Sequence, residues 1–240
     1  MIVTIYLIIL IYFILGGTGF YFINRKKEKP EARRNWIKFI TYFIIIHTLF
    51  LAIVFSTRAF QVIGLLIVLA GLLEIFRLFS RSGYTGKGYF FLSLLIFMAF
   101  GAGFILFSTL DSYLILFTFL VLSVFDAFSQ ICGQLMGKRK ILPSISPSKT
   151  AEGLLGGMMM ALLSSFLLRG LLENSINKTI ILAAGIILFA FAGDTATSWY
   201  KRKYGVKDFG KIIPGHGGVL DRFDSLIAGG AFVALLQMFF

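Results

Sequence analysis

The sequence has few charged residues, few prolines and one cysteine. Charged side chains make up 14% of the 240 residues, whereas a soluble domain averages about 25%, so an ordinary soluble protein is excluded. The single cysteine, Cys132, provides neither a disulfide framework nor a zinc-binding pattern, and we expect it to be a small packing residue. Four prolines and no low-complexity linker predict one integral domain.

Long hydrophobic runs take up most of the chain. Hydrophobic residues make up 58% of the sequence, and the mean hydropathy is +0.89. A helix needs roughly 20 apolar residues to cross a bilayer. The runs therefore predict an all-α, polytopic membrane helix bundle with about eight transmembrane helices, at residues 2–23, 36–56, 59–80, 89–109, 112–132, 153–172, 178–200 and 219–240. No basic residue precedes the first run, so we expect it to be a retained helix and not a signal peptide.

The basic residues are divided unevenly between the two sides of this bundle. The net charge is +12, but the cations lie in short clusters between apolar runs, which argues against nucleic-acid binding. On one side fall only Arg58, Arg169 and Lys178, and the other Lys and Arg residues fall on the opposite side. Basic loops are cytoplasmic by the positive-inside rule. The prediction is an integral protein of the inner (cytoplasmic) membrane with both termini outside.

Polar residues are concentrated in the second half of the chain. We therefore divide the bundle into N-terminal transmembrane helices (1–110) and a C-terminal region with cytoplasmic loops (111–240) that is expected to contain the chemistry. In the first part, Glu74 and Arg77 are three residues apart on one helix and are expected to pair locally. In the second part, charged residues stand at the ends of apolar runs, where they are costly and usually functional.

Several aspartates are predicted to converge on the cytoplasmic face, with lysines and arginines beside them. Helical spacing places Asp194, Ser198 and Lys201 on one helix face. Mg²⁺ takes one or two carboxylates together with substrate phosphates, and Lys and Arg neutralise the remaining phosphate charge. The mixture predicts a magnesium and phosphate site whose candidate metal ligands are Asp126, Asp194, Asp221 and Asp224.

The loop before the sixth run is a second candidate phosphate site. Lys149 lies next to a predicted helix start that Thr150 or Ser148 can cap. Helix N-termini favour phosphate groups. An ordinary capped helix start fits the same residues equally well.

One segment of 27 residues shows a fixed motif spacing. It contains Ser198-x-x-Lys201-Arg202, Lys207-Asp208-x-Gly210 and Ile213-Pro214-x-His216-Gly217-Gly218-Val219-x-Asp221-Arg222-Phe223-Asp224. Upstream stand Ser146-Pro147-x-Lys149-Thr150-x-Glu152-Gly153 and Gly193-Asp194. Together these motifs resemble the signature of the phosphatidate cytidylyltransferases (CDP-diacylglycerol synthases), over roughly residues 126–228.

The resemblance implies a magnesium-dependent nucleotidyltransferase of phospholipid biosynthesis. Such an enzyme joins CTP and phosphatidate into CDP-diacylglycerol and pyrophosphate at the membrane, and a homodimer is the family expectation. Asp194 and Asp221 would hold the metal and act in catalysis with Lys201 and Arg202. The implied substrate-binding residues are Ser146, Lys149, Thr150, Ser198, Lys207, His216, Gly217, Gly218 and Arg222.

The sequence also departs from the family pattern, which leaves the lipid and nucleotide preference open. The departures are Gln130, Gln134, Ser148, Thr197 and Tyr200. One alternative is a related CTP-dependent lipid or prenol kinase, which would release CDP and not pyrophosphate. Another is a cytidylyltransferase acting on a different lipid phosphate. An ion-coupled transporter is more distant, because the sequence has no visible inverted repeat.

Overall fold

The computed structural model describes residues 2–25, 27–172 and 175–239, which form eight α-helices and a short β-hairpin. The helices are α1 (Ile2–Asn24), α2 (Lys29–Phe55), α3 (Thr57–Arg81), α4 (Lys87–Phe107), α5 (Ser112–Met136), α6 (Ala151–Leu168), α7 (Ile176–Lys203) and α8 (Leu220–Gln237). The antiparallel hairpin pairs β1 (Lys140–Leu142) with β2 (Ser146–Thr150), and a 3₁₀ turn (Arg169–Leu171) follows α6. The predicted all-α bundle is confirmed.

Six helices, α2 to α7, are long and apolar enough to cross a membrane. The remaining two are α1 and α8, and α8 has 18 residues with charged side chains at its start. Each predicted run corresponds to one helix, although α2 begins earlier than predicted. Between α2 and α3 only Ser56 is left, and its Oγ accepts a hydrogen bond from Ala59 N at 3.2 Å. The chain is therefore an integral membrane protein.

The centre of the bundle is formed by α5 and α8. Residues 114–122 of α5 and 224–231 of α8 are buried without interruption, as expected of helices covered on all sides. Around them, α8 packs against α3, α4 and α7, and α5 packs against α2, α6 and α7. The outer helices expose large apolar side chains, such as Leu95 and Leu188, which suit contact with lipid. The polar first turn of α8 is thus held at one end of the core.

Helices α7 and α8 approach each other closely at Gly193. A methyl group there would lie 2.5 Å from Ala228 Cβ and 2.9 Å from the Asp224 carbonyl oxygen, whereas carbon atoms pack at about 3.5–4.0 Å. The missing side chain lets the two helices bring Asp194 and Asp224 to the same place.

We expect Gly193→Ala to destabilise the bundle, because the added methyl must push α7 and α8 apart. Overpacking of this kind costs about 1–3 kcal/mol. The matched control is Gly88→Ala on α4, where an added methyl meets no atom within 4 Å. Thermal unfolding of the purified proteins in detergent measures the difference, and equal midpoints for the two variants would contradict the close approach.

Candidate active site

A cavity of about 640 Å³ lies at one end of the bundle, between α5, α6, α7, α8 and the hairpin. Its lining includes eight of the residues that the sequence predicts for the site: Asp126, Ser146, Lys149, Thr150, Asp194, Asp221, Arg222 and Asp224. Three of the positions that depart from the family pattern, Gln130, Gln134 and Ser148, also line it. The cavity therefore combines the expected charged groups with positions that differ from the family.

Asp221 is held at the cavity wall by a lysine and two backbone groups. Lys201 Nζ lies 2.6 Å from Asp221 Oδ1, and the two side chains are only 10% and 4% exposed. The other oxygen, Oδ2, accepts hydrogen bonds from Phe209 N at 2.7 Å and Gly218 N at 2.8 Å. A buried charge needs a partner and hydrogen bonds, and this arrangement supplies both and fixes Asp221 in position.

A second lysine–aspartate pair joins β2 to α7 at the cavity. Lys149 Nζ, at the end of β2, lies 2.8 Å from Asp194 Oδ2 and 3.2 Å from Thr195 Oγ1. The same ammonium group stands 4.6 Å from the centre of the Phe191 ring, which adds a cation–π attraction. Ser198 Oγ is 3.4 Å from Asp194 Oδ1, so these two residues of the predicted helix face lie side by side.

The remaining two aspartates differ in their surroundings. Asp224 accepts hydrogen bonds from Thr197 Oγ1 and from Ser225 N. Asp126 accepts none from the part of the chain that the structure describes, and Asp194 repels both of these carboxylates. Lysine and arginine side chains line the same cavity, so these like charges lie among cations.

The hairpin forms one side of the cavity and is fastened at its base. The Glu152 carboxylate accepts hydrogen bonds from Lys138 N at 3.0 Å and Arg139 N at 3.2 Å. Thr150 Oγ1 caps α6 by accepting from Gly153 N at 3.1 Å, while Ala151 N donates to the Arg139 carbonyl. The start of α6 is thus a capped helix end, and the group it offers to an anion is the Lys149 side chain.

Arg222 connects the cavity with the N-terminal helices. Its guanidinium lies 4.5 Å from the centre of the Tyr42 ring on α2. Arg222 and Asp126 also border a crevice of about 40 Å³, whose other walls include Leu49, Phe119 and Leu226. A polar cavity and an apolar crevice therefore meet at this arginine.

Several residues of the motif do not line the cavity. Arg202 donates instead to the carbonyls of Ile145 at 2.9 Å and Val206 at 3.0 Å, so it ties the hairpin to the end of α7. Lys207 is exposed. His216 is partly buried beside Tyr42, and burial, together with the positive charge of Arg222, lowers the pKa of His216 below its usual value. A neutral imidazole at pH 7 follows.

The expectation that Glu74 pairs locally with Arg77 was wrong. Glu74 is 2% exposed, and its carboxylate accepts from Val219 N at 2.9 Å and Leu220 N at 2.8 Å, 145 and 146 positions away. Among the described residues, no ion pair joins it to Arg77. The only signal in the sequence was a lone acidic residue inside an apolar run. Nothing in the sequence indicated that Tyr42 would contact a residue of the site.

The donor groups of the cavity fit a divalent cation that is only partly held by protein. Within residues 2–25, 27–172 and 175–239, no three His, Cys, Asp or Glu side chains could hold a metal ion by themselves. Magnesium commonly takes one or two carboxylates and completes its coordination with phosphates and water. Of the residues that line the cavity, the aspartates that could contribute ligands to such a cation are Asp126, Asp194, Asp221 and Asp224.

Known proteins resemble this chain over about half of its length. A phosphatidate cytidylyltransferase of Staphylococcus haemolyticus (strain JCSC1435) is 43% identical over 132 residues, which is 53% of this chain and 51% of the relative. The protein of that name in Staphylococcus epidermidis (strain RP62A) is 44% identical over 115 residues, 47% and 44% of the two chains. The protein of that name in Staphylococcus aureus (strain COL) is 41% identical over 132 residues, which is 53% of this chain and 51% of the relative. The alignments span about half the length of these relatives.

A family model covers much more of the chain than these alignments. The model described as "Cytidylyltransferase family" matches residues 2–240, so it includes the N-terminal helices, for which the motifs gave no resemblance. Taken with the cavity and its paired aspartates and lysines, this match shows that the chain belongs to the cytidylyltransferase family.

Proposed function

We propose that this protein transfers CMP from CTP to phosphatidate, in a magnesium-dependent reaction that yields CDP-diacylglycerol and pyrophosphate. The observation that supports it best is the cavity lined by four aspartates together with Lys149 and Arg222, in which two of the aspartates form ion pairs with lysines. Two anionic substrates and a cation need this mixture of charges. The names of the staphylococcal relatives support the choice of phosphatidate.

The roles of the residues follow from their positions. Asp194 and Asp221 would hold magnesium, with Asp126 and Asp224 adding negative charge, and the bound metal would neutralise phosphate oxygens. Lys149, which pairs with Asp194 and lines the cavity, would then be available to bind phosphate oxygens, while Lys201 stays paired with Asp221 and holds it in place. Lysine binds phosphate as a point charge and Arg222 can bind it through two N–H groups.

Phosphoryl chemistry of this kind depends on positioning and on charge stabilisation. An oxygen of the lipid phosphate attacks the α-phosphorus of CTP, the bond to the β-phosphate breaks, and pyrophosphate leaves with the electron pair. Arg222 stands where the polar cavity meets the apolar crevice, so it is suited to hold the phosphate of a lipid whose hydrocarbon part remains outside the polar space.

Labelled CTP tests the reaction directly. With purified protein, magnesium and phosphatidate, label in the α-phosphate should appear in lipid and label in the γ-phosphate should appear in pyrophosphate. Asp221→Asn should lower the rate by about 10²- to 10³-fold, as loss of a fixed electrostatic group does. Transfer of the γ-label to lipid with release of CDP would instead identify a kinase and contradict the proposal.

The Lys149–Asp194 pair makes a second prediction. Lys149→Met should lower kcat/KM for CTP by about 10²-fold, because the cavity loses a cation that is placed to bind phosphate. The matched control is Lys211→Met, since Lys211 is exposed on the loop and does not line the cavity. Equal activities of the two variants in the labelled-CTP assay would show that Lys149 does not bind a substrate phosphate.

We further propose that the cavity faces the cytoplasm at the inner membrane and that both termini lie outside. The ends of α5 and α7 and the starts of α6 and α8 border it, on the side with most of the basic residues. In a Cys132→Ala background, Arg58→Cys should react with an impermeant maleimide in intact cells. Lys211→Cys should react only after permeabilisation, and the reverse pattern would refute this orientation.

A further inference from the structure

Glu74 places a buried carboxylate of α3 at the start of α8. Its side chain lies in an otherwise apolar stretch and is 2% exposed. The two carboxylate oxygens accept from Val219 N at 2.9 Å and from Leu220 N at 2.8 Å. Helix α8 has no side-chain cap of its own, so Glu74 supplies from another helix the acceptors that a helix N-terminus requires.

Gly218 leaves the space that this contact occupies. A methyl group on Gly218 would overlap the Glu74 carboxylate, with Cδ and Oε2 both at 2.8 Å. The backbone of Gly218 does not have a positive φ, so conformational freedom is not the reason for a glycine here. A glycine is needed here because the Glu74 carboxylate lies so close to its Cα.

Glu74 and Asp221 share the donors at the start of α8. Asp221 Oδ2 takes the N–H groups of Phe209 and Gly218, and Glu74 takes those of Val219 and Leu220. Three consecutive N–H groups therefore point at protein carboxylates. The start of α8 is closed to a substrate phosphate, and its direction is fixed from two sides.

A neighbouring contact strengthens the same connection. Tyr200 Oη donates to the Ile75 carbonyl at 2.9 Å, so adjacent residues of α3 hold both α7 and α8. The elements held in this way contain Lys201 and Asp221, which form a buried ion pair, and Asp221 lines the cavity.

We propose that Glu74 is a positioning residue for the transfer reaction: it fixes the first turn of α8 so that Asp221 stays paired with Lys201 and Arg222 stays at the cavity. This inference rests on the proposed function. It assigns a role to a helix outside the motif region and gives Gly218 a structural reason that requires no contact with substrate.

Two measurements on Glu74→Gln test the proposal. An amide presents one acceptor and one donor, so one N–H of α8 loses its partner. We expect faster hydrogen exchange in the peptide that contains Val219 and Leu220. We also expect an activity loss and a weaker apparent affinity for magnesium of about 10- to 100-fold, the range seen when groups that orient a metal ligand are removed. The control is Arg77→Gln, because Arg77 is exposed on the same helix.

A pair of compensating substitutions distinguishes a positioning role of Glu74 and Gly218 from a direct contact between Gly218 and substrate. Gly218→Ala should reduce activity by pushing Glu74 away, and combining it with Glu74→Asp should restore part of the loss, because the shorter side chain leaves room for the methyl. If Gly218 were needed for approach of substrate, the second change would restore nothing. If Glu74→Gln does not fold, the same two measurements are made on Glu74→Asp alone.

The outcomes distinguish a failure of this inference from a failure of the proposed function. If the wild-type protein transfers no CMP, the proposed function fails, and the exchange of Val219 and Leu220 alone decides whether Glu74 fixes α8. Faster exchange with unchanged activity and magnesium dependence would overturn the positioning role. Unchanged exchange in Glu74→Gln would overturn the contact itself.

Discussion

The buried carboxylate of Asp221 imposes the strongest constraint on this fold. A charge at that depth is tolerated only with an opposite charge and hydrogen-bond donors around it, and Lys201, Phe209 N and Gly218 N meet this need. To bring these three groups together, the loop between α7 and α8 must fold back on the start of α8. The direction of α8 and the shape of the cavity follow from that requirement.

The N-terminal helices are part of the same construction. The sequence suggested a division at residue 110 with little chemistry before it, yet contacts from α2 and α3 reach the C-terminal region at Arg222, at Tyr200 and at the first turn of α8. These contacts give a physical reason for a family match that includes the N-terminal helices. In this protein, membrane helices that contain no motif residues hold the motif residues in place.

Part of the site could be predicted because it depends on local spacing. Asp194 and Ser198 are four residues apart on one helix, so their proximity follows from helix geometry, and the cap at Thr150 follows from its place before an apolar run. Local spacing does not place Arg202. The family resemblance groups it with Lys201 in catalysis, but side chains of adjacent helical residues point in different directions, and Arg202 donates to the Ile145 carbonyl of the hairpin.

The sequence alone determined the number and order of the helices, the membrane class and the polar stretch with its family motif, because hydrophobic length and residue spacing are local properties. Only the tertiary structure decided which lysine pairs with which aspartate and that Glu74 belongs to the start of α8, 145 positions away. Such pairings depend on how helices pack, and the energy of a buried charge selects its partner only after packing has excluded water.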